Sequence, residues 1–311
     1  MRQAFIQSLQ ALAQKDPRVL LLTGDLGFKV FDDFRKSFAP RFLNVGVAES
    51  NMIGLAAGLA LEGKIPFAYS IVSFLTMRPF EHIRNDICFN NANVKLVGVG
   101  GGLSYGPNGP THHALNDVAL MRVLPEMSVI CPGDPHEARW AIEAAYRHQG
   151  PVYIRLGRAG EPCVHQQALQ TAWGQAIQLQ DGHDIALLVN GLLLPQANAV
   201  ASLLSKEGLT VRLLSFPSVK PLDHAQIMDS FNQCEFVFTI EEHNLAGGFG
   251  SAVMELANQR GLKLEKLRVI ACPDLTIHKT GSHEYLRREA GLTTPQIFKK
   301  ILGFIKEKAS C

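Results

Sequence analysis

Short apolar runs alternate with stretches of helical spacing along almost the whole chain. Residues 19–22, 94–99, 127–131 and 152–156 are short and aliphatic, and they read as strands. Between them, residues 51–61 and 135–147 carry small and apolar side chains at helical intervals. Strands that are apolar throughout are buried on both faces. Their alternation with helices therefore predicts an α/β fold, a mostly parallel sheet covered by helices on both sides. The texture changes near residue 160. Glu161-Pro162 leads into a Gln-rich stretch and then Gln180-Asp181-Gly182-His183-Asp184, which reads as a linker. A second alternation follows, with strands expected at 185–189, 211–215, 236–240 and 267–270. Helices are expected at 195–206, 248–259 and 294–308. The expected organisation is one α/β domain over 1–165, a linker over 166–183 and a second α/β domain over 184–311.

A length of 311 residues fits two such domains, each able to bury a core. The formal net charge is +2 without a long run of like charge, so neither a nucleic-acid surface nor a membrane surface is expected. No stretch approaches the apolar length of a transmembrane helix, and Met1-Arg2-Gln3-Ala4 lacks a signal-peptide pattern. Cys88, Cys131, Cys163, Cys234, Cys272 and Cys311 are scattered with no C-x-x-C pair. Free thiols in a reducing, cytoplasmic setting are the expectation.

Three segments carry candidate chemistry. In residues 44–60, Glu49 lies between an apolar strand end and a helix made almost entirely of small residues. An acidic side chain there also suits the positive end of a helix. In residues 68–81, Phe74, Met77 and Phe80 fall three apart, which on one helix gives a flat apolar wall, either core or ligand-facing. Residues 98–113 form a Gly- and Pro-rich loop ending in His112-His113. Such a loop displays functional groups rather than forming regular structure. It does not follow the G-x-G-x-x-G pattern of a phosphate-cradling turn.

In order, V-A-E-S-N-M-I-G-L-A-A-G-L-A, S-F-L-T-M-R-P-F and N-G-P-T-H-H resemble the pyrimidine-binding domain of the transketolase family. The likeness runs on through 119–127, 131–134 and 153–158, and E-E-H-N-L-A-G-G-F-G-S at 241–251 resembles the family's C-terminal domain. The resemblance implies a pyrimidine-binding domain followed by a transketolase C-terminal-like domain. It implies that Glu49 hydrogen-bonds the aminopyrimidine of thiamine diphosphate, that Phe74, Met77 and Phe80 wall the ring, and that Asp25 faces the cofactor. Met77 stands where many relatives carry an aromatic residue. His112 matches a histidine that faces the substrate, with His113 beside it. Arg158 and Arg2 match arginines that take a sugar's terminal phosphate. Asn108 replaces an aspartate that reads a sugar hydroxyl, and Gly100 replaces a further substrate histidine.

The family holds the diphosphate and Mg²⁺ through a Gly-Asp-Gly motif, and no Gly-Asp-Gly occurs here. The expectation is therefore a split enzyme, with the diphosphate domain and its metal ligands on a separate partner subunit, assembled as α2β2. No metal ligand is assigned to this chain. The implied reaction moves a two-carbon ketol unit from a ketose, expected to be phosphorylated, to an aldose. The alternatives are the β subunit of a 2-oxo acid dehydrogenase and a non-catalytic subunit retaining the fold. The Gly109-Pro110-Thr111-His112 spacing speaks against the dehydrogenase. A deoxyxylulose-phosphate synthase shares that pattern but normally keeps both halves in one chain.

Overall fold

In the computed structural model, which describes residues 1–309, the apolar runs become two sheets. The first is built from β1 (Val19–Thr23), β2 (Phe42–Asn44), β3 (Ile65–Ile71), β4 (Lys95–Val99), β5 (Ser128–Ile130) and β6 (Val152–Leu156). The second takes β7 (Ile177–Gln180), β8 (Ile185–Asn190), β9 (Val211–Ser215), β11 (Phe236–Asn244) and β12 (Leu267–Cys272). Between β9 and β11, β10 (Ser218–Lys220) returns to the first sheet and pairs antiparallel with β5. The orders are β10-β5-β6-β4-β3-β1-β2 and β12-β11-β8-β9-β7. Among the described residues, only β10 and β7 run antiparallel to their neighbours. Every residue of β1, β4, β6, β8 and β9 is buried, as the unbroken apolar runs require.

Two findings modify the expected organisation. The stretch read as a linker contains β7, the edge strand of the second sheet. The first sheet also borrows β10 from the second half of the chain, so hydrogen bonds as well as side chains join the halves. β3 and the helix Arg2–Lys15 were not among the predicted elements. Pro66 in β3 argues against a central strand because it lacks an N–H. It is tolerated because pairing with β4 begins only one residue later, at Phe67 opposite Lys95.

Cys88, Cys131, Cys163, Cys234 and Cys272 are free thiols, while Cys311 lies outside the described residues. Among the described residues, no helix is long and apolar enough to cross a membrane.

Candidate active site

The carboxyl ends of β1, β2, β3 and β4 deliver the candidate residues to one rim of the first sheet. Ligands of open α/β sheets sit at such a rim, where neighbouring connections diverge. After β2 the chain turns at Gly46, with φ +74°, and enters the helix Glu49–Leu61. Glu49 occupies its first turn without facing solvent and is 2% exposed. Its Oε1 accepts from Ser70 Oγ at 3.0 Å, and its Oε2 accepts from Arg78 Nη1 at 2.8 Å. A carboxylate offers about four lone-pair directions, so these two donors leave acceptor capacity on a buried group.

The Arg78 guanidinium lies 4.2 Å from the centre of the Phe74 ring. Phe74 meets His112 edge-on, with ring centres 5.0 Å apart. Thr111 Oγ1 sits 3.0 Å from His112 Nδ1. Burial first, and then the Arg78 charge, push the His112 imidazole below its ordinary pKa. Tyr105 lies 6.0 Å from His112 on the other side, and the Arg158 guanidinium is 5.1 Å from the Tyr105 ring. A chain of contacts thus runs from Glu49 to Arg158.

The loop bearing His112 is closed by a bridge between Gly102 and Ala114. Gly100 has φ +86°, and a Cβ there would fall 2.0 Å from the Tyr105 ring. Tyr105 fills the space that any side chain at 100 would need, which accounts for glycine at this position. Glu242, from β11 of the second domain, holds the same loop. It accepts from Leu103 N at 2.7 Å and Arg287 Nε at 2.6 Å, and His283 Nε2 is 2.6 Å away. Burial by itself raises the Glu242 carboxyl, but Arg287 and His283 hold it well below the usual carboxylate range. Beyond Tyr105 a cleft of ≈ 560 Å³ opens between the domains, lined by Arg2, Arg158, Ser104, Gln196, His283 and Arg287.

Among the residues expected at the site, the structure brings together Glu49, Phe74 and His112, and it places Arg158 and Arg2 on one cleft. The flat wall expected of Phe74, Met77 and Phe80 is not formed. The helix Val72–Met77 ends before Pro79, which cannot donate a hydrogen bond to continue it, and a separate turn begins at Phe80. Phe80 consequently packs on the core of the first sheet, and Met77 is 37% exposed. Asp25 is exposed at φ 56°, where its backbone N and Oδ1 pair with the Asn44 side-chain amide. Asn108 is exposed in the turn Gly106–Asn108. His113 faces a different cavity of ≈ 230 Å³ together with Asn244 and Ile277, and its Nε2 is buried without a partner. Burial lowers its pKa as well.

Sequence reasoning missed Ser70, Arg78, Tyr105 and Glu242. Arg78 had a visible signal, as the one charged residue in S-F-L-T-M-R-P-F, whereas Glu242 acts across 139 residues of chain. Among the described residues, no three His, Cys, Asp or Glu side chains are grouped so as to hold a metal ion.

A buried carboxylate, an aromatic ring and a shielded histidine on the strand-end rim of a two-domain α/β chain form an enzyme-type site. The chain belongs to the transketolase family. The family model for the transketolase pyrimidine binding domain matches residues 1–160, and that for the transketolase C-terminal domain matches residues 174–297. A subunit of the apulose-4-phosphate transketolase of Actinobacillus succinogenes is 36% identical, over 85% of this chain and 85% of that protein. The 6-deoxy-6-sulfo-D-fructose transketolase subunit SqwH of a Clostridium species is 34% identical, over 96% of this chain and 92% of that protein. A solved structure described as a split gene transketolase, inactive beta4 tetramer, is 35% identical with a TM-score of 0.88. That likeness covers 98% of this chain and 97% of the other.

Proposed function

We propose that this chain is the pyrimidine-binding subunit of a thiamine-diphosphate transketolase divided between two polypeptides. It transfers a two-carbon ketol unit from a ketose with an anionic terminus to an aldose. The carrying observation is Glu49: a carboxylate 2% exposed, with acceptor capacity left, joined through Arg78 to the face of Phe74. That pairing fits an aminopyrimidine, whose ring nitrogen shares a proton with the Glu49 carboxyl and whose π-face stacks on Phe74. The cofactor supplies the carbon nucleophile and the electron sink when bound. Glu49 holds the proton at the ring nitrogen, and Ser70 orients Glu49 through its Oε1. His112, whose pKa burial and then the Arg78 charge lower, donates to or accepts from the sugar oxygens. Arg158 and Arg2 take the phosphate or similar oxyanion at the far end, where a guanidinium fork matches tetrahedral oxygens.

Asp25, Met77 and Asn108 stand at the exposed rim, so in this reading they reach cofactor or sugar only once a partner subunit closes over them. Phe80 packs on the core and His113 lines a separate cavity, so in this reading neither touches the cofactor directly. The partner carries the diphosphate and Mg²⁺ site in an α2β2 assembly. Phe28 and Val47 near the rim, and Leu55 and Leu61 on the helix from Glu49, are large apolar side chains left exposed. This supports a covered surface. Relatives named as transketolase subunits, matched over almost their whole length, favour this reading over the dehydrogenase β subunit.

Calorimetric titration of thiamine diphosphate with Mg²⁺ tests the proposal on this chain alone and on the chain co-expressed with a diphosphate-binding subunit. Binding only in the pair is expected. Tight binding to the isolated chain would overturn the split site.

A further inference from the structure

Arg78 is a site residue that neither the motifs nor the resemblance assigned. It follows the helix Val72–Met77, precedes Pro79, and is the single charge in a run of otherwise uncharged residues. Its guanidinium makes two contacts at once, 2.8 Å from Nη1 to Glu49 Oε2 and 4.2 Å from Cζ to the centre of the Phe74 ring. These are the carboxylate and the ring face that the proposed function gives to the cofactor's aminopyrimidine. A guanidinium resembles that ring in the relevant respects: it is flat and delocalised, hydrogen-bonds a carboxyl at its edge, and lays a π-face on an aromatic side chain. Both groups cannot occupy the same space.

The two members of the pair also differ in their access to water. Glu49 is 2% exposed, so its charge needs a partner wherever the cofactor is absent. The Arg78 side chain is 48% exposed, and it has a route into solvent that Glu49 lacks. We propose that Arg78 is a placeholder for the pyrimidine ring, seated on Glu49 and Phe74 in the cofactor-free chain and displaced outward when the cofactor enters. Arg78 thereby acts as a built-in competitor that sets cofactor affinity. A contact closed in about nine molecules of ten lowers apparent affinity about tenfold. The identity of the displaced ligand rests on the proposed function.

The test uses the two-subunit protein and its dissociation constant for thiamine diphosphate with saturating Mg²⁺. Arg78→Met, which keeps a stem and removes the cation, is expected to bind three- to tenfold more tightly. Arg78→Lys, which pairs with Glu49 but cannot lie flat on Phe74, should fall between it and the parent. Unchanged or weaker binding by Arg78→Met overturns the placeholder while leaving the proposed function standing. No cofactor binding by the parent or either variant overturns the proposed function and the placeholder with it. A second readout needs no cofactor: thermal midpoints of the isolated chain carrying Arg78→Met, Glu49→Gln or both. Arg78→Met should lower the midpoint by about 2–4 °C when Glu49 is present and not when it is Gln. Additive shifts would show that the pair is not closed in the free chain, and would also overturn the proposal.

Discussion

Glu49 and Glu242 are both buried carboxylates paired with an arginine, and they differ in how fully they are satisfied. Glu242 has three donors from two parts of the chain, the loop at Leu103 and the helix His283–Glu289, and its arginine is itself only 13% exposed. Asp117 repeats the pattern on the first sheet, taking Tyr153 Oη at 2.6 Å and Arg155 Nε at 2.8 Å, with both partners buried. Glu49 has two donors, and its arginine stands half in water. A saturated carboxylate with buried partners ties elements together, because removing any member strands a charge. An unsaturated one with a removable partner keeps its capacity for a ligand. Burial alone does not tell Glu49 from Glu242 and Asp117; the number of donors and the exposure of the arginine partner do.

The largest expected effect breaks the comparison on the Glu49 side. Glu49→Gln should cut turnover of the assembled enzyme by about 10²–10⁴-fold, measured as ketol transfer, while the midpoint of the isolated chain moves little. Undiminished turnover would remove Glu49 from the chemistry. On the other side, Glu242→Ala leaves Arg287, His283 and the Leu103 N–H without their acceptor. It should cost about 3–5 kcal/mol in urea unfolding. A loss below about 1 kcal/mol, typical of a surface pair, would erase the distinction drawn between the two carboxylates.

Arg158→Ala sharpens the picture at the far end of the site. Loss of a charge-assisted contact worth about 1.5–3 kcal/mol should raise KM for a phosphorylated ketose about 10- to 100-fold. KM for an unphosphorylated analogue should change little, and an equal rise for both would deny the anion subsite. The smallest effect concerns His112. A histidine whose folded pKa is lowered takes up its proton later as the pH falls, so the acid limb of kcat/KM should lie below about pH 6.5. A limb above pH 6.5 in the parent protein would assign it to another group.

Much of the fold was legible because apolar runs such as 19–22 and 185–189 must be buried wherever they go, and the matching strands lie at those places. β3 was missed because its second half, residues 68–71, reads with 72–81 as one helical segment; its Pro66 is tolerated because β4 starts opposite the next residue. β7 was hidden in a Gln-rich stretch because an edge strand need not be apolar on both faces. At the site, the isolated Glu49 before a small-residue helix and the His112 loop were visible as local patterns. The threefold spacing of Phe74, Met77 and Phe80 misled, since Pro79 divides the segment into two short helical pieces.

By itself the sequence determined the two α/β halves, the family, and the presence of Glu49, Phe74 and His112, because each depends on residue types within a short stretch of chain. Only the tertiary structure decided that Phe80 joins the core, that Arg78 sits on Glu49, and that Glu242 clasps a loop 139 residues away. Such contacts depend on how sheets and helices stack, and no local spacing encodes which side chain will meet which across that packing.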